Sequence, residues 1–413
     1  MSALGDSANY IIITWFVIDV TRSEGALGAT LLCLALPRLV FMLAGGVLAD
    51  RISRKKILLF SLLARAAVLG AFSFALGRSG PAFVQGAVYA MATLFGVVDA
   101  FFWPARDSML PTVVPKEHLA PANSLLQTSQ QLSMIMGPLL ASLLLRLGSY
   151  PLRFQAMALA FLLSALILST MRLRQSQGSQ EETALSRSSV LRDLSAGIRY
   201  VLTIRPVAVI MLVALFINLL VMGPLNIALP VLVKQLGWDG SAFGYLEGAV
   251  GLGAIAGGLL TGALKGFRGH YRILSLFVAV MGAAIAAAGF MQSLGFGLAA
   301  MLVTGLMMSM VNIPVITYIQ TVSERGMLGR VMALLNLMSM GLGPVSYALT
   351  SFILQHGIAT AQVVMRTGGT IMGVLGLSTL LIREFRHMEE HPSWRQVHDT
   401  AAGGGQGALY ENN

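Results

Sequence analysis

Gly46-Val47-Leu48-Ala49-Asp50-Arg51-Ile52-Ser53-Arg54-Lys55-Lys56 is the stretch that decides the fold. A long apolar run ends there in small residues, one carboxylate and a dense basic cluster. An apolar helix that gives way within a turn to several Lys and Arg reads as a tight hairpin between two spanning helices. Basic residues gather on the cytoplasmic side, so the hairpin faces the cytoplasm.

Composition extends that reading to the whole chain. Of 413 residues, 56% are hydrophobic and 11% are charged, and mean hydropathy is +0.75. Soluble domains carry about a quarter charged residues, so an all-α polytopic membrane protein is expected. Apolar segments of about 20 residues, enough to cross a bilayer, fall near 2–20, 25–49, 57–77, 82–105, 121–146 and 152–171. A second set falls near 207–234, 242–264, 272–292, 295–320, 330–355 and 360–382. That gives twelve transmembrane helices in two groups of six. With the N-terminus inside, 20 of the 28 Lys and Arg lie on the cytoplasmic side and six outside, while Arg38 and Arg65 lie within spans. Both termini are then cytoplasmic, and the protein is multi-pass in the cell inner (plasma) membrane. The net charge of +10 becomes a topology signal with attraction to anionic lipid headgroups, and does not point to nucleic acid. The sequence begins inside its first apolar helix without a basic leader. That helix is expected to act as an uncleaved insertion signal, with a further turn or two preceding it.

Several chemistries are disfavoured. A single cysteine, Cys33, permits no intrachain disulfide and no thiol metal site. The six His residues, 118, 270, 356, 387, 391 and 398, fall in loops or the tail, with no His-Glu-x-x-His pattern. No metal, no cofactor and no enzymatic activity are expected. A phosphate-binding G-x-x-x-x-G-K-[ST] loop is also missing, so energy for any transport would come from ion gradients.

The two groups of helices echo each other. Gly262-x-Leu264-x-Gly266-x-x-Gly269 aligns on Gly46-x-Leu48-x-Asp50-x-x-Ser53 at an offset of 216. Gly343-Pro344 echoes Gly137-Pro138 at an offset of 206. The expected organisation is therefore an N-terminal six-helix half at 1–171, a linker at 172–206 and a C-terminal half at 207–383, followed by a disordered cytoplasmic tail at 384–413. Within the linker, Val190, Leu191, Leu194, Ile198, Val201 and Leu202 recur at helical spacing among arginines. That pattern predicts an amphipathic helix on the inner membrane surface.

Gly46, Leu48, Ala49, Asp50, Arg51, Arg54 and Lys55 resemble the loop signature G-x-L-A-D-R-x-G-R-[RK] of the major facilitator superfamily, with Ser53 in place of its second Gly. The resemblance implies two parallel six-helix repeats that rock about a site near the bilayer midplane. It implies that Asp50 faces the start of helix 11 near Gly329 and Arg330, and that Arg54 reaches an acid at the end of helix 4, for which Asp107 is the candidate. Such contacts would latch the inner gate. Gly137-Pro138 resembles the antiporter signature G-x-x-x-G-P-x-x-G-G, with Ser133, Ala141 and Ser142 as small substitutes. Asp99-Ala-Phe-Phe-Trp-Pro104-Ala-Arg106 and Ser2-Ala-Leu-Gly5-Asp6 look like the branch that contains macrolide efflux pumps and the enterobactin exporter. That likeness implies a monomer exporting a small, medium-sized amphipathic compound (a drug, macrolide or siderophore) in exchange for protons.

Ionisable groups inside spans are costly, about 2.5–3.5 kcal/mol each on insertion scales. Asp6, Arg38, Arg65, Asp99 and Glu247 qualify. At 1.5 Å per residue, Arg65 lies about 12 Å deep, Asp99 about 10 Å and Arg38 about 16 Å, with Asp6 close to the first two. These four form either a static ion-pair network or a proton relay. Glu247 has no basic residue at its depth in its own half, and a dry site favours its protonated form. It is the leading candidate for proton coupling or for engaging a cationic substrate. Helix 8 carries Gly253/Gly257 and Gly258/Gly262 at small-xxx-small spacing, which predicts close packing. A facilitator for lipids or lysophospholipids, admitted sideways between apolar, Met-rich cavity helices (23 Met in the whole chain), is the alternative reading; a membrane-embedded enzyme is less favoured.

Overall fold

The computed structural model describes residues 2–51, 53–76, 81–114, 119–146, 148–170, 187–264, 272–324 and 327–383. Among these residues every regular element is helical, as hydrocarbon demands of a backbone that must satisfy its own hydrogen bonds. The first group comprises α1 (Ser2–Thr21), α2 (Glu24–Arg51), α3 (Arg54–Leu76), α4 (Pro81–Val113), α5 (Leu119–Leu145) and α6 (Tyr150–Thr170). After α7 (Arg187–Thr203) come α8 (Arg205–Gly223), a π-helical turn at Pro224–Ala228, and α9 (Leu229–Gln235). The remainder are α10 (Gly240–Ala263), α11 (Arg272–Ala288), α12 (Leu294–Val322), α13 (Leu328–Gly341), α14 (Gly343–Gln355) and α15 (Ala361–Ser378). Ten helical runs among the described residues are long and apolar enough to cross a membrane, and α11 is a shorter apolar helix.

Packing inside the two groups follows one plan. In the first, α2 lies on α4, α3 on α6 and α4, and α1 on α5 and α6. In the second, α10 lies on α12, α11 on α15 and α12, and the α8–π–α9 run on α14 and α15. Small residues bring the tightest of these pairs together. A Cβ at Gly253 would strike the Leu302 carbonyl, and one at Gly305 would strike that of Val250, so α10 and α12 meet backbone to backbone. Aromatic side chains fill the wider space in the first group. Phe16 meets Phe72, Phe154 and Tyr150 edge to face at 5.5, 5.4 and 4.8 Å between ring centroids. Asp239 caps α10, accepting from the Ser241 hydroxyl at 2.6 Å and the Ala242 amide at 3.1 Å. Burial pushes its carboxyl up, but these hydrogen bonds outweigh burial and hold it below the ordinary carboxylate range.

Three expected elements are present with detail that the sequence reading did not include. The segment read as one span at 207–234 is interrupted at Pro224, whose ring removes a donor and leaves a π turn in its place. The segment at 330–355 divides at Leu342, just before Gly343-Pro344, whereas Pro138 is accommodated inside an unbroken α5. The linker helix α7 docks on α13 and α8, with Gly197 against Arg330 and the Tyr200 hydroxyl accepting the Glu324 amide at 2.8 Å. The rest of the expected linker (171–186) and the expected tail (384–413) lie outside the described residues.

Candidate functional site

The two groups meet along a seam, and its polar centre is assembled from four helical runs. Tyr10 of α1 donates to Asn226 Oδ1 at 2.5 Å. Asn226 stands in the π turn, its amide nitrogen donating to the Met222 carbonyl at 2.8 Å, so the irregular backbone aims the carboxamide across the seam. Tyr347 of α14 approaches the same Tyr10 hydroxyl, and Glu247 of α10 lies within electrostatic reach of both tyrosines. Glu247 is partly buried and has neither an ion pair nor a hydrogen bond among the described residues. Sequence reasoning found Glu247 and missed Tyr10, Asn226 and Tyr347. Tyr and Asn carry no charge to stand out in an apolar run, and the one local signal was Gly223-Pro224 inside a span.

Within the first group, Arg65 joins two of the expected partners. Its guanidinium holds both oxygens of Asp6 at 2.9 and 3.1 Å and also pairs with Asp99. Arg65 is fully buried, over the faces of Phe102 at 4.3 Å and Phe161 at 5.6 Å, whereas the Asp6 and Asp99 side chains keep 21% and 16% exposure. The cation is thus the fully buried centre and the carboxylates are its partly exposed edge. Arg38 stands apart from this triad, its guanidinium 5.6 Å from the Trp103 ring centroid.

Towards one end of the bundle the seam is closed. Asp19 of α1 pairs with Lys234 of α9 and accepts from the Tyr150 hydroxyl at 2.5 Å. Trp15 stacks on Phe243 at 6.4 Å, and the Ser142 hydroxyl donates to the Ser241 carbonyl at 3.2 Å. Alongside, the Ser351 hydroxyl donates to the Glu24 carbonyl at 2.7 Å, joining α14 to α2. Two clefts of about 390 and 380 Å³ open beside this closure. Contacts of α5 with α10 extend inward as far as Ile135 and Gly251, about halfway along each helix. From Glu247 to the Asp19 end the seam is therefore tight.

The motif residues separate into two sets. Gly46, Asp50 and Arg51 close α2, and Asp107 lies on α4, but their side chains fall outside what the structure describes. Arg54 opens α3, and Lys55 donates to the Ser169 carbonyl at 2.9 Å at the end of α6. That contact of Lys55 lies within the first group and crosses no seam. Gly137 packs where a Cβ would strike Ser7 of α1, next to Asp6, and the Pro138 carbonyl accepts the Ser142 hydroxyl at 2.9 Å. The Gly-Pro pair thus sets how closely α5 approaches α1.

Residues 1–348 match the sequence model of the Major Facilitator Superfamily. The chain is 26% identical over 367 residues to the multidrug efflux pump Tap of Mycobacterium tuberculosis, covering 84% of this chain and 83% of that one. It is 27% identical over 390 residues to the enterobactin exporter EntS of Escherichia coli, with 92% and 86% covered. Among solved structures, a bacterial homologue of the iron transporter ferroportin in an inward-facing state superposes with a TM-score of 0.68 at 12% identity, covering 91% of this chain and 95% of that one. The xylose transporter XylE of E. coli, inward open, gives 0.66 at 13% identity, with 94% of each chain covered. These two likenesses concern the fold.

Proposed function

The chain belongs to the Major Facilitator Superfamily, and on that premise we propose that it is a proton-coupled exporter of medium-sized amphipathic compounds, working by alternating access between halves at 1–171 and 207–383. The carrying observation is Glu247, which lacks an ionic partner at the seam beside Tyr10, Tyr347 and Asn226. A carboxyl held dry there favours its protonated form, and one opened to water favours its ionised form. Protonation and access are then linked. The basic-residue count supports an outward-facing Asp19 end, and on that orientation the arrangement corresponds to the state closed to the exterior. Asp6 and Asp99, partly exposed and bridged by Arg65, supply a second pair of carboxyls for proton exchange when the cavity opens to water.

Everted vesicles with an imposed pH gradient, scored for accumulation of macrolides, cationic dyes and catecholate siderophores, test the reading. Glu247→Gln fixes the neutral state, so downhill exchange should persist while uphill accumulation falls to background. A variant that still concentrates substrate like the wild type moves the coupling role to Asp6 and Asp99.

A further inference from the structure

A second cluster on the wall of the first half has no place in that coupling scheme. Arg38 follows Pro37 on α2 and is partly exposed. Its guanidinium lies 5.6 Å from the Trp103 ring centroid, and that of Arg106, three residues further along α4, lies 4.2 Å from the same ring. One indole thus carries two guanidinium groups. The Trp103 Nε1 donor is buried and has no acceptor. With its carboxamide oxygen turned towards Arg106, Gln130 of α5 accepts from that guanidinium at 2.7 and 3.1 Å and helps to orient it. Arg38 has no carboxylate within ion-pair distance among the described residues; Asp6, which lies within its electrostatic reach, is held by Arg65. Its helix α2 packs on α14 of the opposite group, and Arg38 lies within electrostatic reach of Tyr347 there, so it stands on a helix that lines the seam.

We propose that Arg38, Trp103 and Arg106 form a recognition subsite for an amphipathic aromatic anion, a carboxylate, sulfonate or catecholate. A guanidinium inside a membrane protein without an acid is expensive, and the cation–π contact recovers only about 0.5–2 kcal/mol of that cost. An entering anion satisfies the planar fork of Arg38 with charge-assisted hydrogen bonds and takes the orphaned indole N–H as a further donor. The ligand's ring finds an aromatic platform at Trp103. A cation of the same size meets the like charge of Arg38, which sets the sign of the preference. The inference deepens the exporter reading and rests on it in one respect, that the seam is the substrate pathway.

Calorimetric titration of the purified full chain in lipid nanodiscs tests it, with 2-naphthalenesulfonate and the equally sized 2-naphthyltrimethylammonium as probes. Wild-type protein should bind the sulfonate and discriminate against the cation. Arg38→Gln should weaken sulfonate binding about 10- to 100-fold, the range for a hydrogen bond to a charged group. Arg38→Lys should recover part of that loss, and Trp103→Phe, which keeps a ring but removes the N–H, should lose several-fold. Unaltered sulfonate affinity in both Arg38→Gln and Trp103→Phe, or equal affinity for the two probes in the wild type, overturns the subsite. Failure of the exporter reading looks different, because wild-type vesicles would then accumulate no member of the panel while the binding preference persists.

Discussion

Arg65 shows what a single buried charge can fix. With no solvent exposure it depends on Asp6 and Asp99, and they depend on it to keep two carboxylates from facing each other directly. Removing one member of such a buried set leaves uncompensated charge, a loss of about 3–5 kcal/mol. Arg65→Leu should therefore lower the thermal unfolding midpoint of the detergent-solubilised protein clearly, with Arg65→Lys intermediate. An unchanged midpoint would mean that the triad contributes little to holding α1, α3 and α4 together. The triad was legible in sequence because charge in an apolar run is conspicuous and helical rise gives depth. What depth could not supply was direction around each helix: Arg38 shares the layer but lies against Trp103, in place of an acid.

Among elements, α10 illustrates how glycine spacing becomes close contact. The expected close packing is met by Gly253 and Gly257 against α12 but not by Gly258 and Gly262, where a Cβ at Gly262 would meet nothing within 4 Å; the second packed face is instead Gly244 and Gly251 against α5. The first face lies within one half and the second lies on the seam. Gly253→Val would push a branched side chain into the Leu302 carbonyl and the Leu306 amide. We expect loss of folded protein, read as a collapse of the monodisperse peak in size-exclusion chromatography. Gly258→Ala, with the Ile313 side chain 3.7 Å from a built Cβ, should be tolerated. Periodicity and length located these helices, but their interruptions were not readable. Gly-Pro occurs in α5, at the α8–π junction and between α13 and α14, and the backbone answers it in three ways. The choice depends on neighbours that can take up the freed carbonyl, and those are tertiary.

At the scale of the whole molecule, the Asp19–Lys234 pair joins the two halves where they close. Its side chains keep 34% and 31% exposure, so the pair alone contributes on the order of 1 kcal/mol, roughly fivefold in the closing equilibrium. Disulfide formation between Ser142→Cys and Ser241→Cys, in a Cys33→Ser background, reports that closure. Asp19→Asn should reduce the cross-linked fraction several-fold, and the swapped pair Asp19→Lys with Lys234→Asp should restore part of it. Equal cross-linking in all three would assign the closure to Trp15, Phe243 and the helix contacts. The positions of these partners carry one more consequence. Tyr10 and Asn226 are 216 residues apart, the same offset that separates the repeated loop motif, and Asp19 and Lys234, at 215, fall one residue short of it. If the two groups of helices were related by an exact two-fold, a residue touching its own equivalent would lie on the axis and meet an identical side chain. Tyr10 meets Asn226 there, and one residue off that offset Asp19 meets Lys234, where identical charges would repel. Such unlike pairs are open only to a single chain whose two groups differ at these positions, so a symmetric dimer assembled from either group by itself could not make this closure.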